Sequence, residues 1–419
     1  MIKIFQDFGI NTKNKDGKDS IEESIISKSH HEFVKMWLKF QEANHRVTTF
    51  GDNILQSIED ERLFTNFNPM VDTARLSTRK GEINFLNFPA DQETRNCFKA
   101  YGDNVMVVCD FEGQENVVLA DKSGDEVMTD SVVNGSCLHC AFARFLFPEI
   151  TDLSDDEIKE HHSDKRSAAK SPRFAFAYGG NAFTIHVNEN IPLKRAEEIE
   201  KSFKELHNGV FAWGEVELEK AIKAGYIESA CGWKLHLPFF DKFKFLQGKV
   251  DSLSKEDWIR YRRGKSDYSR YYEIKRANVD LPADKKKQFV AKYPEDLEFY
   301  RSKKETVSDY FKLRSAYQRL VLNNPIQSCA SHQTKLSMLL MFEWILEQDL
   351  QWSVKIVNAV HDEIILECPF DLKEEVADKL TECMKNGANQ FLANLKMGAE
   401  AHYNYTWYLA KTKNLDNKK

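Results

Sequence analysis

Apolar positions cluster in short β-type runs at three places along the chain and recur at helical spacing over most of the remainder. The run VMVVCD (residues 105–110) is β-rich and closes on an acid, the pattern of a buried strand. SVKIVNAV (353–360) and IILEC (364–368) are two further runs, separated only by His361-Asp362-Glu363, which is the spacing of a tight hairpin. Residues 1 to 19 read as a short strand or loop and a linker. Ser20 with Glu23 forms a capping-box signature, and Ile21, Ile25, Phe33, Trp37 and Phe40 then predict one or two helices to about Glu42. Further helices are predicted over CLHCAFARFLF (137–147), KRSAAKSPRFAFAYGG (165–180) and IPLKRAEEIEKSFKELHNGVFAWGEVELEKAIKAG (191–225). A long one follows over LNNPIQSCASHQTKLSMLLMFEWILEQ (322–348), then one at about 371 to 396 and a final strand. Such a chain is α+β.

A length of 419 residues suits two or three domains with a large core, and no apolar run approaches membrane-span length. The segment MIKIFQDFGINTKNKDGKD is too charged for a secretory signal, so the expectation is an intracellular, cytoplasmic protein. Eight cysteines without a framework spacing fit free thiols in a reducing compartment. Cys137-Leu138-His139-Cys140 has the spacing of half a zinc site, but no second C-x-x-C accompanies it. Net charge is −6, yet from Asp241 to Arg319 there are 21 Lys and Arg against 13 Asp and Glu, a balance of +8. Tyr261, Tyr268, Tyr271, Tyr272, Tyr293, Tyr300 and Tyr310 are interleaved with those cations. That pattern suits a groove tracking a nucleic-acid backbone and equally a solvated insertion.

Two features carry candidate chemistry. An acid at a hairpin tip, Asp362, is held rigidly enough to share a divalent cation with a second strand-end carboxylate, and Asp110 is the candidate. A lone Asp in a turn serves as well for an Asx cap. Arg166, Lys170, Phe174 and Tyr178 recur every fourth residue and on a helix project from nearly one face. Two cations followed by two aromatics make a clamp for a polyphosphate and the base it carries, although an amphipathic core helix with a basic end has the same spacing.

At these places the chain resembles the family A DNA polymerases, those like bacterial DNA polymerase I. Asp110 to Glu115, Arg166 to Gly179 and Val360 to Glu363 resemble the family's motifs A, B and C, in that order. TARLS with NFLNFP (Thr73 to Pro89), GYIESACGWKLHLP (Gly225 to Pro238) and RLVLNNPIQS (Arg319 to Ser328) resemble lesser blocks, so the likeness extends from about Arg62 to about Trp407. It implies a right-hand polymerase fold with an antiparallel-sheet palm and helical fingers. The domains would be an N-terminal segment with a thumb remnant (1–45), a first palm part (46–130), fingers (131–236) and a second palm part (237–419) with the basic insertion at about 241–318. The thumb is expected to be largely absent, and so is an exonuclease domain. A separate chain, as in a polymerase split between two bacteriophage genes, would then supply them; the compartment would be a host's cytoplasm.

The activity so implied is template-directed addition of dNTPs to a primer 3′-hydroxyl on primer-template DNA, with two Mg²⁺ ions (or Mn²⁺) and no membrane partner. By resemblance Asp110, Asp362 and the backbone carbonyl of Phe111 hold the metals, with Glu363 in support. Lys170, Arg166 and His139 reach the triphosphate, Lys170 also as proton donor to pyrophosphate. Phe174 stacks near the sugar and base and disfavours dideoxynucleotides, while Tyr178 guards the templating-base pocket. Glu115 is the steric gate against a ribose 2′-hydroxyl. Arg75, Asn84, Asn323, Gln327 and His361 contact the primer end and minor groove. Departures from the family pattern are Pro172 inside the clamp helix, expected to kink it or shift its register, Glu112 near the metals, Leu86 for Gln and Trp233 for Arg. The competing expectations are a single-subunit RNA polymerase, against which Glu115 and Glu363 speak, and a non-catalytic nucleic-acid-binding subunit of the same fold.

Overall fold

The computed structural model describes residues 1–13, 17–26, 29, 31–79, 82–177, 179–188, 191–279, 282, 285–412 and 414–415. Its centre is a four-stranded antiparallel sheet of β1 (Asn104–Phe111), β2 (Lys355–Val360), β3 (Glu363–Pro369) and β4 (Ala399–Asn404), in the order β4-β1-β3-β2. Alternation along β1 splits its side chains between two faces. Met106 and Val108 point into a core with Phe85, Phe88, Val360, Ile365 and Trp407. Cys109 faces the other way, with its sulfur 3.9 Å from the Thr381 hydroxyl. Asp110 shares the parity of Met106 and Val108, and so the Trp407 side. Both expected strand runs and the hairpin between them are present.

Helices make up most of the remainder. Residues 2–7, expected as strand or loop, form the helix α1 (Ile2–Asp7), because Phe5 is fully buried against Ile26 and Val34 and anchors a helical turn. The helices expected to end near Glu42 are a turn at Glu23–Ile26 and α2 (Glu32–Phe50), which runs on to Phe50 where that ring packs on Phe88. After β1 come α3 (Gln114–Ser123), α4 (Leu138–Leu146), α5 (Ser163–Ala177), α6 (Leu193–Leu206) and α7 (Asn208–Ala224). Pro172 is buried within α5, and the helix continues through it; the carbonyl of Ala168, four residues earlier, loses its intrahelical partner there.

Residues 214–228 and 234–322 form a separate compact unit. It holds α8 (Phe240–Asp251), α9 (Lys255–Ala277) and the first half of α10 (Pro294–Glu347), a helix beginning 28 residues before the expected Leu322. The aromatics of the basic stretch divide. Tyr261, Tyr300 and Tyr310 lie in this unit's core with Phe243 and Tyr317, while Tyr272 is exposed. The buried three are therefore packing residues and not the lining of a groove. The remaining unit closes with α11 (Lys373–Asn389), β4 and α12 (Trp407–Thr412).

Candidate functional site: strand-end carboxylates beside a cationic helix

The β2–β3 hairpin has a two-residue turn, His361-Asp362, between Val360 and Glu363, which pair directly. His361 takes φ 59° at the position where glycine is the usual occupant, so local strain aims this turn. Asp110 pairs with Glu363 across β1 and β3, and the Phe111 N–H donates to the Asp362 carbonyl at 3.3 Å. Asp110 and Asp362 thus stand on neighbouring strand ends. Burial, then the charge of Asp110, pushes the Asp362 carboxyl up to about 6.

Glu363 is placed differently. It is buried, and its carboxylate accepts from Trp407 Nε1, Lys411 Nζ and Arg95 Nη1, the last at 3.4 Å, with the Arg95 guanidinium over the Trp407 ring. Lys411 also donates to Asp110 Oδ2 at 2.8 Å. Despite burial, the Glu363 and Asp110 charges hold its ammonium above the ordinary lysine value. Asp110 Oδ1 is buried with no hydrogen-bond partner among the described residues. Two crowded carboxylates and an orphaned acid oxygen fit a cation. Among the described residues no three His, Cys, Asp or Glu side chains converge. A cation held by Asp110 and Asp362 would take its further ligands from other oxygens, backbone or water.

Beside the turn, a cleft is lined by Arg75, Leu86, Gln114, Glu115, Thr334, Lys335, His361 and Asp362, among others. Glu115 lies in the first turn of α3 and pairs with Arg75. Desolvation, then the Arg75 charge, lowers the His361 imidazole. The floor is fixed by polar contacts: Gln114 Nε2 donates to the Ala330 carbonyl at 3.0 Å, and Thr334 Oγ1 to that of His361 at 3.3 Å. Glu112, one of the departures, projects over Gly398, whose carbonyl accepts from its N–H at 2.9 Å. Trp233 Nε1 donates to the Asp72 carbonyl at 3.1 Å, as does Asn324 Nδ2 at 2.7 Å, so Trp233 serves a backbone contact here. Asn323 and Gln327 are half-buried on α10, and Asn84 caps a helical turn by accepting from Leu86 N at 3.1 Å.

On α5, Lys170 is exposed and Arg166 Nε donates to Cys137 Sγ at 3.5 Å. His139, in the first turn of α4, is brought down to about 4 by burial and then by the charges of Arg173, Arg166 and Lys170. The Phe174 side chain and the whole of Tyr178 lie outside the described residues. Arg173 and Lys411 escaped the sequence reading. Arg173 is buried and donates to Asn116 Oδ1 at 3.3 Å, tying α5 to α3. Nothing in its spacing marks it, since it falls off the four-residue stripe; Lys411 lies in a C-terminal tract with no motif of its own.

A four-stranded antiparallel sheet thus bears two acids on neighbouring strand ends, with α5 tied by Arg173 to the helix that follows β1. The sequence model of DNA polymerase family A matches residues 3–409. The chain belongs to that family. It is 25% identical over 394 residues to the thermostable DNA polymerase I of Thermus thermophilus, covering 91% of this chain and 38% of that protein. A DNA polymerase of Mycobacterium phage D29 is 28% identical over 203 residues, covering 47% of this chain and 31% of that protein. A solved POL domain of Pol1 from M. smegmatis, in complex with DNA primer-template and dNTP, shares the fold at a TM-score of 0.69 and 20% identity, covering 98% of this chain and 61% of that one. The chain thus spans well under half the length of the curated relatives it matches. No described helix is long and apolar enough to cross a membrane.

Proposed function

We propose that this chain is a template-directed DNA polymerase that extends a primer 3′-hydroxyl with dNTPs. The observation that carries the reading is the placing of Asp110 and Asp362 on adjacent strand ends, where their charges crowd each other. Divalent cations, two Mg²⁺ or Mn²⁺, would be held by these acids and the Phe111 carbonyl, and when bound would lower the pKa of the hydroxyl and neutralise the leaving pyrophosphate. The chain's own residues do the rest. Glu363, locked by Arg95, Trp407 and Lys411, supports the hairpin. Lys170 and Arg166 bind the triphosphate with His139, and Lys170 donates a proton to pyrophosphate. Phe174 and Tyr178 are assigned to the sugar and templating base. Glu115, steadied by Arg75, fills the space of a ribose 2′-hydroxyl. Arg75, Asn84, Asn323, Gln327 and His361 are assigned to the primer end and minor groove, where acceptors are alike for all correct pairs, so shape is tested and sequence is not. In this reading residues 46–130 and 237–419 are palm and 131–236 fingers.

The test is magnesium-dependent primer extension by the wild type and by Asp362→Ala, with dNTPs and NTPs in parallel. Extension with dNTPs, lost in the variant by about a thousandfold or more at unchanged circular dichroism, is the expected result. Equal use of NTPs would remove Glu115 from its role, and full activity of the variant would remove the acid pair.

A further inference from the structure

Cys137 stands at the N-cap of α4 with extended φ −82° and ψ 109°, and Cys140 lies one turn along. Residues so spaced fall within the roughly 4.4–6.8 Å Cα window of a disulfide. The Cys140 thiol is fully buried and donates to the Asp155 carbonyl at 3.8 Å, while Cys137 is half-buried and accepts from Arg166 Nε at 3.5 Å. Both thiols are free. Although burial acts to raise it, the Arg166 bond and the first-turn amides bring the Cys137 thiol below its ordinary value; burial and then Cys137 push Cys140 up to about 11. An accessible sulfur stabilised by a cation at a helix N-terminus, backed by a buried protonated thiol, is the division of labour of an attacking and a resolving cysteine. His139 lies between the two in sequence, and Arg166 is the sulfur's donor. The pair therefore touches one group that the polymerase reading assigns to the triphosphate, Arg166, and brackets a second, His139, in sequence.

We propose that Cys137 and Cys140 form a reversible redox switch, oxidised to a disulfide by a peroxide, which alters the hold of Arg166 and His139 on the incoming triphosphate. The Cys137 thiolate attacks the peroxide O–O bond, giving a sulfenic acid and, for hydrogen peroxide, hydroxide. The Cys140 sulfur then attacks the sulfenic sulfur and expels its hydroxyl, which leaves as water once the thiol proton and the hydroxide are counted. Two thiols are oxidised and one peroxide is reduced to two waters. A dithiol reverses the change. The disulfide sulfur cannot ionise, so oxidation removes the thiolate form that Arg166 favours and, with it, a negative charge that would oppose a triphosphate. The consequence for nucleotides rests on the polymerase reading; the thiol chemistry does not.

The experiment treats the full chain with hydrogen peroxide and locates modified cysteines by peptide mass spectrometry. A dithiol-reversible 137–140 disulfide is expected, with Cys140→Ser stopping at a sulfenic acid on Cys137 that dimedone traps. Arg166→Gln should slow iodoacetamide alkylation of Cys137 at neutral pH by about threefold or more, an effect absent for a merely structural cysteine. In primer extension, the oxidised wild type should show a dNTP KM lowered by about three- to tenfold at little-changed kcat, with the Cys137→Ser/Cys140→Ser variant indifferent to peroxide. Oxidation of exposed Cys97 without a 137–140 disulfide, or the same KM in both forms, overturns the switch. Disulfide formation with no extension in either state overturns its nucleotide consequence together with the polymerase reading, and upholds the redox pair.

Discussion

A carboxyl pushed up to about 6 is more easily protonated in the folded chain than in the unfolded one, so Asp362 costs stability as the pH rises through the ordinary carboxylate range to about 6, and the cost is complete above that. Asp362→Asn is therefore expected to stabilise the metal-free protein at pH 7.5 by about 1–3 kcal/mol while abolishing extension. Thermal melts in a chelator check this, and an unchanged or lower midpoint counts against the crowding of the two acids. Glu363 predicts the opposite behaviour. Removing its side chain leaves Arg95, the Trp407 N–H and Lys411 without their common acceptor, so Glu363→Ala should lose about 3–5 kcal/mol, read as a fall in the urea midpoint. The sequence placed the two acids side by side in one motif but could not distinguish their surroundings. One lies in the hairpin turn near the charge of Asp110, and the other begins β3, buried against three donors.

Two contacts test whole elements. Gly264 lies where α9 crosses α10, and a Cβ there would collide with the Asp296 carbonyl oxygen and stand 2.6 Å from Tyr300 Cβ. Backbone cannot yield as a side-chain tip does, so Gly264→Ala should destabilise that unit by about 1–3 kcal/mol, with amide exchange quickening in α9 before the central sheet. Asp121, on α3, accepts from the backbone N–H groups of Ala393, Asn394 and Leu395 at 2.7 to 3.1 Å. Burial acts to raise its carboxyl, but these donors hold it below the usual range. Its contribution is thus present above the unfolded value near 4 and lost as the pH falls through the lower folded value. Asp121→Asn should narrow the stability gap between pH 7 and pH 3, measured by denaturation at both. Hairpin, strand runs and α5 were legible because their periodicities are local. The helical start of the chain and the early start of α10 were not, since each is secured by distant packing: Phe5 on Ile26 and Val34, and Tyr300 on Tyr261.

Over the whole chain, net charge −6 conceals a basic stretch whose exposed cations include Lys285, Lys286 and Lys287. If this stretch meets DNA backbone, replacing the three by serine should weaken duplex binding and flatten the slope of log affinity against log salt by roughly one for each phosphate no longer neutralised. An unchanged slope would return the stretch to the role of a solvated insertion. The order of the motifs, their residue types, the strand runs and the acid at the hairpin tip were all in the linear chain, because strand and helix periods and tight-turn chemistry are short-range properties. Tertiary structure alone decided that Asp110 and Asp362 are neighbours, that Glu363 is locked by Arg95, Trp407 and Lys411, and that Tyr261 and Tyr300 are core. Each of those facts joins residues from about 40 to more than 250 positions apart, and only burial of a shared apolar interior brings such residues together.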